Sequence, residues 1–454
     1  MSTDLQGLLE DQNDILKAKL LGEGRIASTF KVKLMREGKT KNQIVRVIRG
    51  ISNHYAVKRE KDLLQYLNQF PEFPRFNEIR KVGVYYLQFF DYVGKSNLTR
   101  LVNKKGSLSQ NKTRRLLSDM VRVLTHVHGA GFLHTNIGPD NIILGKKQYY
   151  LVDWSHALPA LKAYETEVID EDARYCPPER LNGELDEKGD IYSLGCTLYF
   201  ALTGKHIYRL KNKSTQAQQF WAHAHHSVHK MNKLPIFWRY LIFWMTQKDP
   251  EKRPSLNDLT LWLEDVTVPE WVRRMSVRAE KSYPKDIMTV LADEHFLYPI
   301  FVKAQKYEQK GDLISAFNLY ENGAFRGYGL AEEKIGKMYE TGEPVEKSYS
   351  MAANMYHHAY QRGNPNAAFN LANMFAKGLG MPENLQQAFK LYRFAAIRGH
   401  SESQSIIANM YIKGIGTTKN MAQGQSWLAL VANNGCEKSQ GELQKITALS
   451  GIAG

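Results

Sequence analysis

Four glycines, Gly327, Gly363, Gly399 and Gly435, stand 36 residues apart. Three further sets keep the same step: Gly342, Gly378 and Gly414; Ala316, Ala352 and Ala388; Tyr320, Tyr356 and Tyr392. A fixed period of this length commits the C-terminal part to stacked supersecondary units, each burying one face against the next. Small residues recur where helices would touch and glycine where they would end, so each unit reads as a helix pair. Met338, Tyr339, Met374, Phe375, Met410 and Tyr411 follow the same step and are expected to pack between helices. Any binding surface then falls to the concave face and the loops.

The N-terminal part follows another rule. From Lys17 to Val93, short runs alternate apolar and polar residues, as in Ser28–Leu34 and Val84–Phe90, which are strand signals. Among them Ser52 is placed to cap a helix through Leu67, ended by the breakers Pro71 and Pro74. From Asn111 onward the pattern is mostly helical, interrupted by a Gly- and Pro-containing turn region at Gly138–Leu151. The most apolar segment, Leu234–Met245, contains Arg239 and is shorter than the roughly 20 residues a membrane span needs, so it reads as a buried helix. No apolar leader opens the chain, and Cys176, Cys196 and Cys436 lack paired spacing; a reduced, cytoplasmic protein is the expectation.

Within the periodic region, Ala372-Asn-Met-Phe-Ala-Lys-Gly-Leu-Gly380 and Ala408-Asn-Met-Tyr-Ile-Lys-Gly-Ile-Gly416 resemble the first helix and glycine loop of Sel-1-like repeats, relatives of the tetratricopeptide repeat. The resemblance covers about 328–435, with a degenerate unit at 292–327 that lacks the long loop and a capping helix expected at 436–454. It implies a protein partner held by the repeats. A linker at 269–291, containing Pro269, Trp271 and Pro284, joins them to the N-terminal domain at 1–268.

That domain carries an ordered series of motifs. Gly22-Glu-Gly24-Arg-Ile-Ala27 resembles the glycine-rich loop of protein kinases, where backbone amides approach phosphates. Ala56-Val57-Lys58 looks at first like the third-strand lysine motif, but the downstream glutamate it needs would fall at Phe73-Pro-Arg-Phe76, which cannot be helical. Glu60 through Leu67 instead resembles helix C, and Ile44–Ile48 supplies the strand, with Arg46 at the lysine position and Lys58 on the helix surface. Arginine keeps the charge and can grip phosphate or Glu60, without reproducing the lysine's geometry. Leu87–Val93 resembles the fifth strand and hinge, with Phe90 as a bulky gatekeeper and Asp91 and Val93 lining an adenine site.

His134-Thr-Asn-Ile-Gly-Pro-Asp-Asn141 resembles the catalytic loop. Asn136 stands at the catalytic aspartate's position and Gly138 at the phosphate-facing lysine's. Asp153-Trp-Ser155 resembles the magnesium-binding Asp-Phe-Gly motif, so Asn141 and Asp153 are the implied metal ligands. Pro177-Pro-Glu179, Asp190–Gly195 and Arg253 match structural motifs of the family. An amide cannot take the proton of a substrate hydroxyl. Positioned acid–base groups are worth about 10²- to 10⁴-fold, or roughly 3–5 kcal/mol of barrier.

The expected fold is therefore an α+β bilobal protein-kinase-like domain followed by an all-α helical-repeat solenoid. The expected function is that of a pseudokinase, binding ATP and magnesium through Gly22, Gly24, Arg46, Glu60, Asp91, Val93, Asn141 and Asp153, as a switch or scaffold. An atypical phosphotransferase or nucleotidyl transferase, and a nucleotide-free scaffold, are the alternatives. The basic excess falls in residues 1–150, with 26 Lys or Arg against 13 Asp or Glu, scattered as in a solvated surface rather than a nucleic-acid tract. The histidines at 223, 225, 226 and 229 have no neighbouring carboxylate or cysteine in sequence to complete a metal set. Tyr164, Thr166 and Tyr175 lie in the activation segment without a flanking pattern that singles one out.

Overall fold

The computed structural model describes residues 2–23, 27–83, 85–160, 173–208, 214–226, 228, 231–264, 270–273 and 286–432. They fall into two compact units, one of Met1–Tyr66, Arg75–Tyr92 and Gly329–Gly454, the other of Leu67–Pro74 and Val93–Tyr328.

The first unit opens with helix α1 (Ser2–Glu10) and strands β1 (Ile15–Glu23), β2 (Ala27–Arg36) and β3 (Lys39–Arg49). Helix α2 (Gly50–Leu67) follows, then β4 (Phe76–Val82) and β5 (Tyr85–Asp91), giving an antiparallel sheet of order β1-β2-β3-β5-β4. The alternation read in β2 puts Phe30, Val32 and Leu34 in the core with Leu9, Val45, Val47, Leu87 and Phe89. Helix α2 begins at Gly50, two residues before the expected Ser52 cap, because β3 runs into it without a loop. It ends at Leu67 as the prolines require.

The second unit is mainly helical. Helices α3 (Leu98–Lys105) and α4 (Gln110–Gly129) precede two small two-stranded sheets that carry the loop at His134. β6 (Phe132–Leu133) pairs with β9 (Leu158–Pro159), and between them β7 (Ile142–Leu144) pairs with β8 (Tyr149–Leu151). Helix α5 (Glu187–Thr203), capped by Asp186, is buried continuously from Gly189 to Ala201, which makes it the axis of this unit. Around it lie α6 (Gln216–His225), α7 (Ile236–Met245) and α8 (Leu256–Glu264). Helix α7 is only half buried: Trp238, Leu241, Ile242 and Met245 face inward, while Ile236 is 63% exposed. Among the described residues no helix is long and apolar enough to cross a membrane.

The segment expected as a linker contains α9 (Glu270–Arg273) and α10 (Ile287–Asp293). Ile287 and Leu291 of α10 share a core with Phe220, Trp221, Cys176 and Leu181. Helices α11 (Leu297–Gln309) and α12 (Leu313–Phe325) follow, joined by the short turn 310–312.

The repeats belong to the first unit: α13 (Gly329–Thr341), α14 (Tyr349–Gln361), α15 (Pro365–Lys377), α16 (Leu385–Ile397), α17 (Ser401–Lys413) and α18 (Met421–Ala432). Ala352, Tyr356, Ala388 and Tyr392 are buried between them with Met374 and Met410, which accounts for the periodic residues. Gly380 and Gly416 have φ of 73° and 64°, and a Cβ there would lie 2.8 Å from the Tyr349 carbonyl and 2.1 Å from the Leu385 carbonyl. Only glycine meets both demands. Gly435 and the capping helix expected at 436–454 lie outside the described residues.

Candidate functional site

In the first unit, the register Thr29–Arg46–Gln88 places Arg46 on the central strand β3. Its Nη1 lies 2.5 Å from Glu60 Oε1 and 3.3 Å from Gln88 Oε1, and Gln88 Nε2 donates to Glu60 Oε2 at 2.9 Å. All three are buried. A buried ion pair of this kind survives only with such additional bonds to its remaining lone pairs. Sequence reasoning missed Gln88; its only signal was its register opposite Arg46 inside an otherwise apolar run. The backbone of Lys58 lies within α2, but its side chain and Gly24 fall outside the description. Gly22 is exposed at the end of β1, opposite Thr29. Phe90 is buried against Phe76, with ring centroids 5.5 Å apart. The carboxylate of Asp91 is engaged by Lys41 at 2.8 Å and Asn77 at 3.0 Å, and its amide donates to the Arg75 carbonyl.

In the second unit, Val93 is half-buried, and the next residue is a glycine by necessity: a Cβ on Gly94 would lie 2.2 Å from the Leu144 carbonyl. The loop from His134 is organised by Asp190 on α5. Asp190 Oδ2 accepts from the His134 amide and Oδ1 from the Thr135 amide, both at 2.9 Å, and His128 Nε2 lies 2.9 Å from Oδ2. Burial alone would raise the pKa of this carboxyl, but these bonds and the nearby imidazoles bring it below the ordinary value. Burial pulls the His134 imidazole below its ordinary value, with the charges of Asp190 and Asp153 opposing. Thr135 holds a φ of 64°, which a β-branched residue rarely adopts. Its amide bond to Asp190 and its hydroxyl bond to the His156 carbonyl, 2.9 Å, fix it there.

Asn136 and Asn141 are brought together: Asn141 Nδ2 donates to the Asn136 carbonyl at 2.9 Å, leaving the Asn141 amide oxygen as an acceptor. The Asn136 side-chain nitrogen lies 3.3 Å from His156 Nδ1. Asp153 adopts a left-handed φ of 68° and caps the following turn, accepting from the Ser155 hydroxyl at 2.6 Å. Serine at this position therefore holds the aspartate instead of freeing the backbone as glycine would. Trp154 is buried against His134 and Phe73, at ring distances of 4.7 and 5.7 Å. An amide oxygen and a carboxylate are the hard donors magnesium takes, so Asn141 and Asp153 fit that ion chemically.

Gly138 is covered. A Cβ there would sit 3.6 Å from the ring of Tyr175, which is buried and so not an accessible modification site. Tyr164 and Thr166 lie outside the described residues. Glu179 and Arg253 form a buried two-pronged pair at 2.5 and 2.7 Å. The histidines are absorbed into packing. His223 bonds the Tyr192 hydroxyl at 2.9 Å, and His225 Nε2 lies 2.6 Å from Glu294. His229 lies outside the described residues.

This arrangement of a β-sheet with an Arg–Glu pair, an Asp-anchored loop and an aspartate-led turn defines a kinase-type domain. The protein kinase domain family matches residues 15–262, more than half of the chain, and the chain belongs to it. Sel1 repeats match 329–364, 365–400 and 401–436. The fold is thus an α+β kinase domain followed by all-α repeats. Similar curated proteins include a serine/threonine-protein kinase PknA of Nostoc, 25% identical over 238 residues, covering 48% of this chain and 41% of the relative. A Wee1-like protein kinase of Oryza sativa is 24% identical over 266 residues, covering 57% and 48%. A second Wee1-like protein kinase, from Arabidopsis thaliana, is 30% identical over 166 residues, covering 34% and 30%. The chain spans less than half the length of each.

Proposed function

We propose that this protein is a catalytically impaired kinase that binds ATP with magnesium and acts as a switch or scaffold, with its repeats holding a protein partner. One observation carries the reading: an amide, Asn136, stands where the loop anchored by Asp190 would present a catalytic carboxylate, while Asn141 and Asp153 keep oxygen donors suited to magnesium. Tyr175 covering Gly138 adds to it, since no cation projects from that position toward a transferred phosphate. The buried framework is kept, in the Glu179–Arg253 and Arg46–Glu60 pairs, so the altered loop sits in an otherwise intact fold. Cys176 and Cys196 are buried, in keeping with a reduced, cytoplasmic setting.

A second reading, residual transferase activity, draws on His156. Its imidazole lies 3.3 Å from the Asn136 amide and could take a proton the amide cannot. Several relatives are named serine/threonine kinases, which favours the same reading.

Thermal unfolding of the purified chain with ATP, with and without magnesium, tests the binding. At a hundredfold excess over Kd, ligand binding to the folded state stabilises it by about 2.7 kcal/mol. The expected result is a saturable, magnesium-dependent shift that Asp153→Ala removes. No shift at millimolar ATP would leave the nucleotide-free scaffold.

A further inference from the structure

Away from the kinase loop, the outer face of α4 carries a basic concavity of about 550 Å³, whose lining includes Arg114, Arg115, Asp119, Arg122, Lys147 and Leu263. Residues 111, 114, 115, 118 and 122 share one face of the helix by their spacing. Lys147 and Gln148 come from the turn between β7 and β8, and Leu263 from α8, so three elements converge. We propose that this concavity binds a phosphorylated peptide segment.

Its charge argues for a dianion. Four cations line it against one carboxylate, Asp119, whose oxygens are already engaged. Asp119 Oδ2 accepts from the Tyr149 amide at 2.8 Å, and Oδ1 from Arg122 at 2.5 Å. The first bond pins the turn that carries Lys147 to α4. Arg122 is partly spent on Asp119 and on Glu72, 3.6 Å away. Arg114 is fixed by a bond to the Leu263 carbonyl and lies over the Phe237 ring at 5.4 Å. Arg115 is 49% exposed, with Asp119 at 3.9 Å, and Lys147 is exposed with no ion-pair partner among the described residues.

Pre-positioned guanidinium forks match the geometry of phosphate oxygens, and a phosphorylated side chain brings up to two charges where a glutamate brings one. The cations on α4, from Arg114 to Arg122, are separated by eight residue steps, about 12 Å of helix. Four cations, two of them already engaged, suit one or two phosphates on a peptide better than a nucleic-acid strand, whose binders make about 6–10 phosphate contacts. The proposal is independent of nucleotide binding or transfer at the kinase loop.

The test is fluorescence anisotropy on the full chain, using a labelled Gly/Ser peptide with one central phosphoserine. Its serine and glutamate versions, and a short oligothymidylate, are the comparisons. The expected result is binding at least about tenfold tighter for the phosphopeptide than for any of the three. The double variant Arg115→Glu/Lys147→Glu loses that preference, with its circular dichroism unchanged, and a reversal at the exposed Lys310→Glu keeps it. Equal binding of the phosphorylated and plain peptides at millimolar concentration overturns the proposal, as does a preference that survives the double reversal. Tighter oligothymidylate binding that the same reversal abolishes overturns it in favour of nucleic acid.

Discussion

Replacing Arg46 by methionine isolates the buried pair at the centre of the sheet. In the native chain the Glu60 carboxylate, 3% exposed, receives Arg46 at 2.5 Å and Gln88 at 2.9 Å. Arg46→Met leaves that charge with the amide alone, in a place water does not reach. Breaking a buried pair by removing one partner costs about 3–5 kcal/mol. For a domain of this size, each kcal/mol moves the melting temperature by about 2–4 °C, so the kinase-domain transition should fall by roughly 6–20 °C. The double variant Arg46→Met/Glu60→Gln removes the stranded charge while keeping an acceptor for Gln88, and should recover most of the loss. Arg46→Lys should fall between them, since it keeps the charge but not the fork. Scanning calorimetry of the four full-length proteins gives the comparison. If Arg46→Met costs less than about 1 kcal/mol, or the double variant is no better than the single, the pair does not act as described.

Three further outcomes follow from the geometry. Gly416→Ala forces a side chain into a left-handed φ of 64° and against the Leu385 carbonyl, so the repeat transition should lose at least the 1–2 kcal/mol, roughly, of the left-handed penalty; an unchanged melt refutes this. Asp190→Asn removes a carboxylate that receives two backbone amides and His128; thermal stability should fall by about 2–4 kcal/mol and the ATP–magnesium shift should vanish with it, whereas a preserved shift would show that the loop does not depend on Asp190. Lys248 donates to the Tyr208 hydroxyl at 2.7 Å, and burial pulls its pKa from 10.5 to about 7. Between these values the unfolded chain binds the extra proton, so this group's contribution makes stability rise with pH, by at most about 1.4 kcal/mol per unit. Urea midpoints of wild type and Lys248→Met at pH 7 and pH 9 should therefore diverge in slope, and parallel slopes would contradict it.

The periodic half was legible because each repeated residue has one geometric task. The 36-residue steps of glycine fall at helix ends with positive φ, as at Gly363, Gly378, Gly399 and Gly414, and the alanine and tyrosine steps fall in the core. Arg46 could be set opposite Glu60 because prolines excluded the rival register through Lys58. What stayed hidden depends on contacts between distant segments. Nothing in Leu87-Gln-Phe-Phe90 marks Gln88 as a partner of Glu60, and nothing near Gly138 announces that the Tyr175 ring covers it. Nothing in Asp153-Trp-Ser155 announces the bond from the Ser155 hydroxyl to Asp153, which exists only once the turn is folded. The stretch holding α10 was expected as a linker on the strength of Pro269 and Pro284, yet Ile287 and Leu291 complete a core with Phe220 and Trp221 of α6. The basic concavity escaped notice because its cations come from two segments, α4 and the β7–β8 turn.

The central claim, that the kinase site holds nucleotide but is deficient in transfer, meets its most direct test in one rate constant. Transfer of the γ-phosphate to the chain itself and to serine, threonine and tyrosine peptides would be followed at saturating ATP and magnesium, with occupancy verified in the same sample. Active protein kinases turn over at about 1–100 s⁻¹. With Asn136 in place of a carboxylate, the predicted rate lies about two to four orders of magnitude lower. A rate within the ordinary range would contradict the account and make this protein an active kinase working through another base.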